Sequence, residues 1–227
     1  MRERAGDKKT YDPIEKKEHR AVCNLVVDLG EEYFAKYNKW NPKILVGFEF
    51  PDVIAEYTDN DGKEVKRPRM LTRRFKRELF NRKGEKSEFH KFLCKWVGRD
   101  LKQDAEGYTL FQPKMMLNLC GNLDVEHTKK GDSTYADIDC IRPLRPDQEK
   151  AVPTHTTLFQ LDDVPDGEDP VDHFPEDVQD WVKEAFMKSK EVTTYGRAQK
   201  TPDAQAEAPP AEKGADGALM DDDSFPF

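Results

Sequence analysis

The sequence predicts a mainly β protein: a five-stranded Greek-key barrel with a helix between its third and fourth strands, then a C-terminal helix and a disordered acidic tail. Three observations predict it. Five β-rich segments are separated by turn signals. One internal segment switches from alternation to a helical period. Past residue 190, core-forming residues give way to Ala, Pro, Gly, Glu and Asp. The chain therefore divides into a flexible lead over residues 1–19, a domain over 20–190, a linker over 191–219 and an acidic end over 220–227.

Residues 1–19 are charged and aperiodic. Residues 21–30, ending at Gly30, read as the first strand. Residues 31–42 hold Tyr33, Phe34, Tyr37 and Trp40 among polar residues and read as a long loop between strands. Residues 43–51 form the second strand, where Gly47 permits a bend or close approach. The run Asp59-Asn60-Asp61-Gly62 is a turn. Residues 65–75 form a strongly basic third strand.

From residue 86 to 97 the period changes. Phe89, Phe92, Leu93 and Trp96 fall at i, i+3, i+4 and i+7, with Ser87 as N-cap and Gly98 as C-terminal stop. Residues 115–127 read as a fourth strand with a bulge at Gly121, and 135–144 as a fifth. Residues 175–190 read as a helix packed on the barrel, with Pro175 in its first turn and Val178, Trp181, Val182 and Ala185 on one face. Three strands, a helix and two strands is the order of the OB-fold, a barrel that binds oligonucleotides on one face. An α+β sandwich produces much the same string.

Charged and hydrophobic residues each make up 36% of the 227, so the ends are expected to lie outside the core. The net charge of −8 hides segregation. Residues 62–102 carry fifteen Lys or Arg against five Asp or Glu, while 161–180 carry nine acids and no Lys or Arg. An acidic total therefore leaves nucleic-acid binding open, because a basic face is what matters. Cys23, Cys94, Cys120 and Cys140 stand far apart and predict reduced thiols in a cytoplasmic protein. No apolar run approaches membrane-spanning length, and the first residues lack a signal-peptide core. A homo-oligomer is left open.

Arg67, Arg69, Arg73, Arg74, Lys76 and Arg77 crowd into eleven residues. Such side chains neutralise phosphates and release counterions. Trp40, Phe48, Phe50, Tyr57 and Phe75 are candidates for stacking unpaired bases. Phe48 and Phe50 share parity, so both line the barrel or both face out. The competing reading is a solvated basic edge strand with its aromatics in the core.

Asp124 and Glu126 share parity on the fourth strand, as Asp137 and Asp139 do on the fifth. Were these to converge, with His127 beside them, paired metal ions would support phosphodiester hydrolysis. Polar alternation on a half-exposed sheet gives the same pattern. The cysteines and five histidines are scattered without zinc spacing, and neither metal nor cofactor is predicted. There is no phosphate-binding glycine loop and no hydrolase or metalloprotease motif, and no catalytic residue is predicted.

The chain ends in Asp221, Asp222, Asp223, Ser224, Phe225, Pro226 and Phe227. A phenyl ring and carboxylates on a flexible end suit a hook for a pocket rimmed by Lys or Arg. This end resembles the acidic tip of bacterial single-stranded DNA-binding proteins, which close on several aspartates and an Ile-Pro-Phe-type triplet. Ser224 and Phe225 depart from that pattern, while Pro226 and Phe227 match it. The body also resembles phage-encoded single-stranded DNA-binding proteins, through residues 24–30, 44–51 and 92–99. The resemblance implies sequence-tolerant binding of single-stranded DNA in the host cytoplasm. It also implies docking of replication, recombination or repair proteins through Asp221, Asp222, Asp223, Phe225, Pro226 and Phe227. Two alternatives remain at this point: an adaptor that binds proteins rather than DNA, and a metal-dependent nuclease using Asp137 and Asp139.

Overall fold

The computed structural model describes residues 12–58, 62–131 and 133–200. Its strands are β1 (Glu18–Phe34), β2 (Lys39–Thr58), β3 (Glu64–Lys76), β4 (Cys120–Lys130), β5 (Ser133–Pro143) and β6 (Thr157–Phe159). Its α-helices are α1 (Glu88–Val97), α2 (Asp180–Met187) and α3 (Lys190–Lys200). The expected helix between the third and fourth strands is α1, with the Ser87 hydroxyl accepting from the His90 amide at 3.1 Å and Gly98 turning left-handed at φ +70°.

The sheet is mainly antiparallel and open, in the order β3-β2-β1-β4-β5, with β6 added parallel to β1. β1 lies at the centre of the sheet, between β2 and β4. The length of β1 permits this: Val22 to Phe34 pair with β2, while Glu18 to Val22 pair with β4 on the opposite side. Bulges between Cys23 and Leu25, and between Asp28 and Gly30, bend the strand between these partners.

Two apolar clusters cover the two faces. Val26, Ile44, Val46, Phe48, Phe50, Leu71, Phe75 and Ile138 meet Phe89, Phe92, Leu93 and Trp96 of α1 on one face. Leu25, Val27, Leu29 and Leu45 meet Phe159, Val178, Val182 and Phe186 on the other. Strict period-two alternation along β2 sorts its even positions to the first cluster and Leu45 to the second. The helix expected over 175–190 is shorter: α2 starts at Asp180, so Pro175 and Val178 precede it, and it packs on the sheet through Val182 and Phe186. The buried Glu49 carboxylate accepts from the Thr154 amide at 3.0 Å and the Thr154 hydroxyl at 2.9 Å, holding down the strap that leads to β6.

Several boundaries differ from the sequence reading. Residues 31–42 are not a loop. They continue β1 and β2 to a hairpin tip, where Ala35–Tyr37 form a 3-10 turn and Asn38 adopts φ +48°. The fourth strand starts at Cys120, because Pro113–Met116 turn as 3-10 helix. Residues 191–200, expected as the start of a linker, are helical in α3, and residues 201–219 lie outside the described residues. The end at 220–227 lies outside the described residues.

Candidate nucleic-acid interface

The aromatic platform expected on β2 and β3 is largely core. Phe48 and Phe50 are 0% exposed and Phe75 is 3% exposed. The reason is α1: Phe48 packs against Trp96 at 5.1 Å between ring centroids, and Phe75 against Phe92 at 4.8 Å. These three rings present no face to a ligand. Tyr57 pairs with Val65 at the far end of β2, and its side chain lies outside what the structure describes. Trp40 alone among the four described candidates stays on the surface, half-buried.

The basic stretch divides by partner. Arg73 donates to the Ile138 carbonyl at 2.7 Å and the Asp139 carbonyl at 3.0 Å, and pairs with Glu88. Its guanidinium also lies 5.1 Å from the Phe75 centroid. Arg74 pairs with Glu32 at 3.1 Å, and Arg77 pairs with Asp28. Arg69 donates to the Asp12 carbonyl, and burial holds its pKa below the usual value against the pull of Asp12. Arg67 and Lys76 are exposed and form no ion pair with a described side chain. Four of six predicted cations are thus engaged in holding the fold. The Asp28 carboxyl is raised above its usual pKa by burial, which Arg77 and the Gly30 amide only partly offset.

Two features bring cations and aromatic rings together. The first is a groove of about 400 Å³ between β3, α1 and β5, lined by Arg73, Lys86, Lys91 and Lys95. Phe92 is in its wall, with Glu88 and Asp139 at its margin. The second is the β1–β2 hairpin tip. Tyr33 packs on Trp40 with centroids 5.2 Å apart, and Phe34 packs on Tyr37 at the same distance. Tyr37 is 60% exposed, and the Lys36 and Lys39 ammonium groups each lie 5.5 Å from its ring centroid.

Tyr33, Lys36, Tyr37 and Lys39 were legible as an aromatic, basic segment, but reading it as a loop hid their pairing. The signal was a cross-strand aromatic pair flanking an Asn able to take positive φ.

The four carboxylates of β4 and β5 do not assemble into an ion site among the described residues. Asp124 is paired with Arg142 at 2.6 Å, and Glu126 with Lys16 at 2.5 Å. Glu126 sits opposite Asp137, while Asp139 contributes its carbonyl to Arg73. His127 is hydrogen-bonded to the Ile14 carbonyl at 2.8 Å. No helix among the described residues is long and apolar enough to cross a membrane. No protein-family model, curated protein or solved structure matches the chain.

Proposed function

We propose that this protein binds single-stranded DNA with little regard to sequence, and recruits partner proteins through its acidic, phenylalanine-terminated end. The observation that carries the first half is the hairpin tip. An exposed Tyr37 face, a Tyr33–Trp40 pair and two adjacent lysines combine base stacking with phosphate neutralisation. Each stacked base contributes on the order of 1–3 kcal/mol, and every base has a face to stack, so such a surface tolerates sequence.

The strand order supports the same reading. In the OB-fold a long first strand pairs with the second and the fourth, and β1 does so here. Arg73 on the edge strand β3 donates to the Ile138 and Asp139 carbonyls of the other edge strand, β5, a contact that supports a barrel-like reading of this sheet. Cations in the β3–α1–β5 groove extend the positive surface.

The recruitment half rests on the chemistry of Asp221, Asp222, Asp223, Phe225, Pro226 and Phe227. Carboxylates beside a terminal ring fit a basic-rimmed apolar pocket on replication or repair proteins. A long Ala-, Pro- and Gly-rich linker raises the local concentration of whatever the end holds.

A gel-shift with fluorescent oligonucleotides tests the reading. Unstructured single strands bound well above duplex, with affinity falling as salt rises, is the expected result. No binding at low salt overturns it. Deleting residues 224–227 leaves DNA binding intact or stronger and abolishes partner capture. Loss of DNA binding on that deletion breaks the two-part arrangement.

A further inference from the structure

We propose that His90, Cys94 and Asp100 form a binding site for a borderline-soft divalent metal ion such as Zn²⁺, independent of the DNA-binding reading. One ligand atom from each residue lies within 4.8 Å of the other two. A tetrahedral zinc site with sulfur, nitrogen and oxygen ligands needs donor separations of about 3.5 Å.

Local structure builds the cluster. His90 and Cys94 are four apart on α1 and so share one face. Gly98, at φ +70°, reverses the chain and folds Asp100 back, and the Cys94 thiol points at Asp100 Oδ1 from 3.5 Å.

The independent sign of a ligand is His90. The residue is 2% exposed, and neither ring nitrogen has an aligned hydrogen-bond partner among the described residues. The nearby Leu79 carbonyl accepts from the Ser87 amide at 2.9 Å. Buried polar atoms are normally satisfied, and an orphaned one destabilises the fold.

The donor set selects the ion. One thiolate, one imidazole and one carboxylate suit Zn²⁺ over Mg²⁺ or Ca²⁺, which take oxygen alone. On binding, the Cys94 proton passes to solvent and a Zn–S bond forms, with no change of oxidation state. Lys86, now hydrogen-bonded to Asp100 Oδ1, competes with the ion for that oxygen. Three protein ligands leave a fourth position for water. The bound ion would clasp the middle of α1 to the chain just past its end.

The test uses the full chain, stripped with chelator and titrated with Co²⁺. One equivalent is expected to produce a thiolate-to-cobalt charge-transfer band that Zn²⁺ then abolishes. Cys94→Ser removes the band, and Asp100→Asn weakens binding by on the order of 10–100-fold. Lys86→Gln strengthens it several-fold. Cys140→Ser, on the wall of the groove that Lys86 and Cys94 also line, leaves the band unchanged. Asp100 is exposed, so its variant keeps the test open should His90→Ala fail to fold. No band at stoichiometric Co²⁺, or a band that survives Cys94→Ser, overturns the proposal. A band lost only with Cys140→Ser does the same.

Discussion

The guanidinium of Arg73 donates to the main-chain carbonyl of Ile138 at 2.7 Å, so a side chain of β3 ties down the backbone of β5. The same group reaches the Asp139 carbonyl and Glu88, and lies over Phe75 and Phe92. One residue therefore links both edges of the sheet to α1. Arg73→Met is expected to lower unfolding free energy by about 2–3 kcal/mol, because charge-assisted bonds are lost and two carbonyls lose their donor. Arg73→Lys rescues little, since an ammonium lacks the planar fork that serves both carbonyls and lies over the rings. Urea unfolding of the three proteins measures this, and equal midpoints would contradict the edge-tying role.

The Asp28–Arg77 pair predicts a pH signature. The Asp28 side chain is 5% exposed and its partner 37% exposed. Burial raises the Asp28 pKa above its ordinary 3.8, net of the stabilising pull of Arg77. The folded state thus holds a proton that the unfolded state releases. This group's contribution is greatest below 3.8 and falls as pH rises through the folded value. Removing Arg77 pushes that value further up. Arg77→Met therefore costs little in acid, where Asp28 is protonated in both states. Its cost grows with pH to about 2–3 kcal/mol near neutrality, the lower end for a broken pair because Arg77 is partly solvated. Adding Asp28→Asn flattens the difference, which unfolding across a pH series reads directly.

Gly121 predicts a packing defect. A Cβ there would stand 2.8 Å from Trp96 Nε1 and 2.9 Å from the Arg142 carbonyl oxygen. The Trp96 indole N–H donates to the Cys120 carbonyl at 3.0 Å, and the ring is 1% exposed. Gly121→Ala must displace one or the other and is expected to cost about 1–3 kcal/mol. A blue-to-red shift of the Trp96 emission in the folded variant reports the movement.

How much of this was legible in the sequence follows from the range of each interaction. The helix α1 was readable because four large apolar residues fall on one face within twelve positions. The shared parity of Phe48 and Phe50 was equally plain, but choosing their side needs to know which face α1 covers. The partners of Arg73, Arg74 and Arg77 are 15, 42 and 49 residues away, so the basic stretch looked free when most of it is paired. The hairpin tip was missed because polar residues break the apolar alternation while main-chain pairing continues to Phe34 and Lys39. His90 and Cys94 had helical spacing from the start, but Asp100 joins them only through the left-handed turn at Gly98.

The hairpin tip also sets an electrostatic expectation. Replacing Lys36 and Lys39 by Gln removes two cations from a surface that meets phosphates. The slope of log affinity against log salt should fall by about 1.4, at roughly 0.7 for each single-strand phosphate contact. An unchanged slope would place the strand elsewhere on the molecule.

The most direct measurement is a fluorescence-anisotropy titration of a labelled, unstructured single strand with the wild-type chain and with Tyr37→Ala/Trp40→Ala. Wild type should bind the single strand far more tightly than duplex. The double variant should weaken single-strand binding by on the order of 10–100-fold, within the range expected for one or two lost stacking contacts. Its unfolding midpoint should barely move, because Tyr37 is exposed and Trp40 half-buried. Equal affinities for wild type and variant, or no affinity for single strands at low salt, would contradict the account.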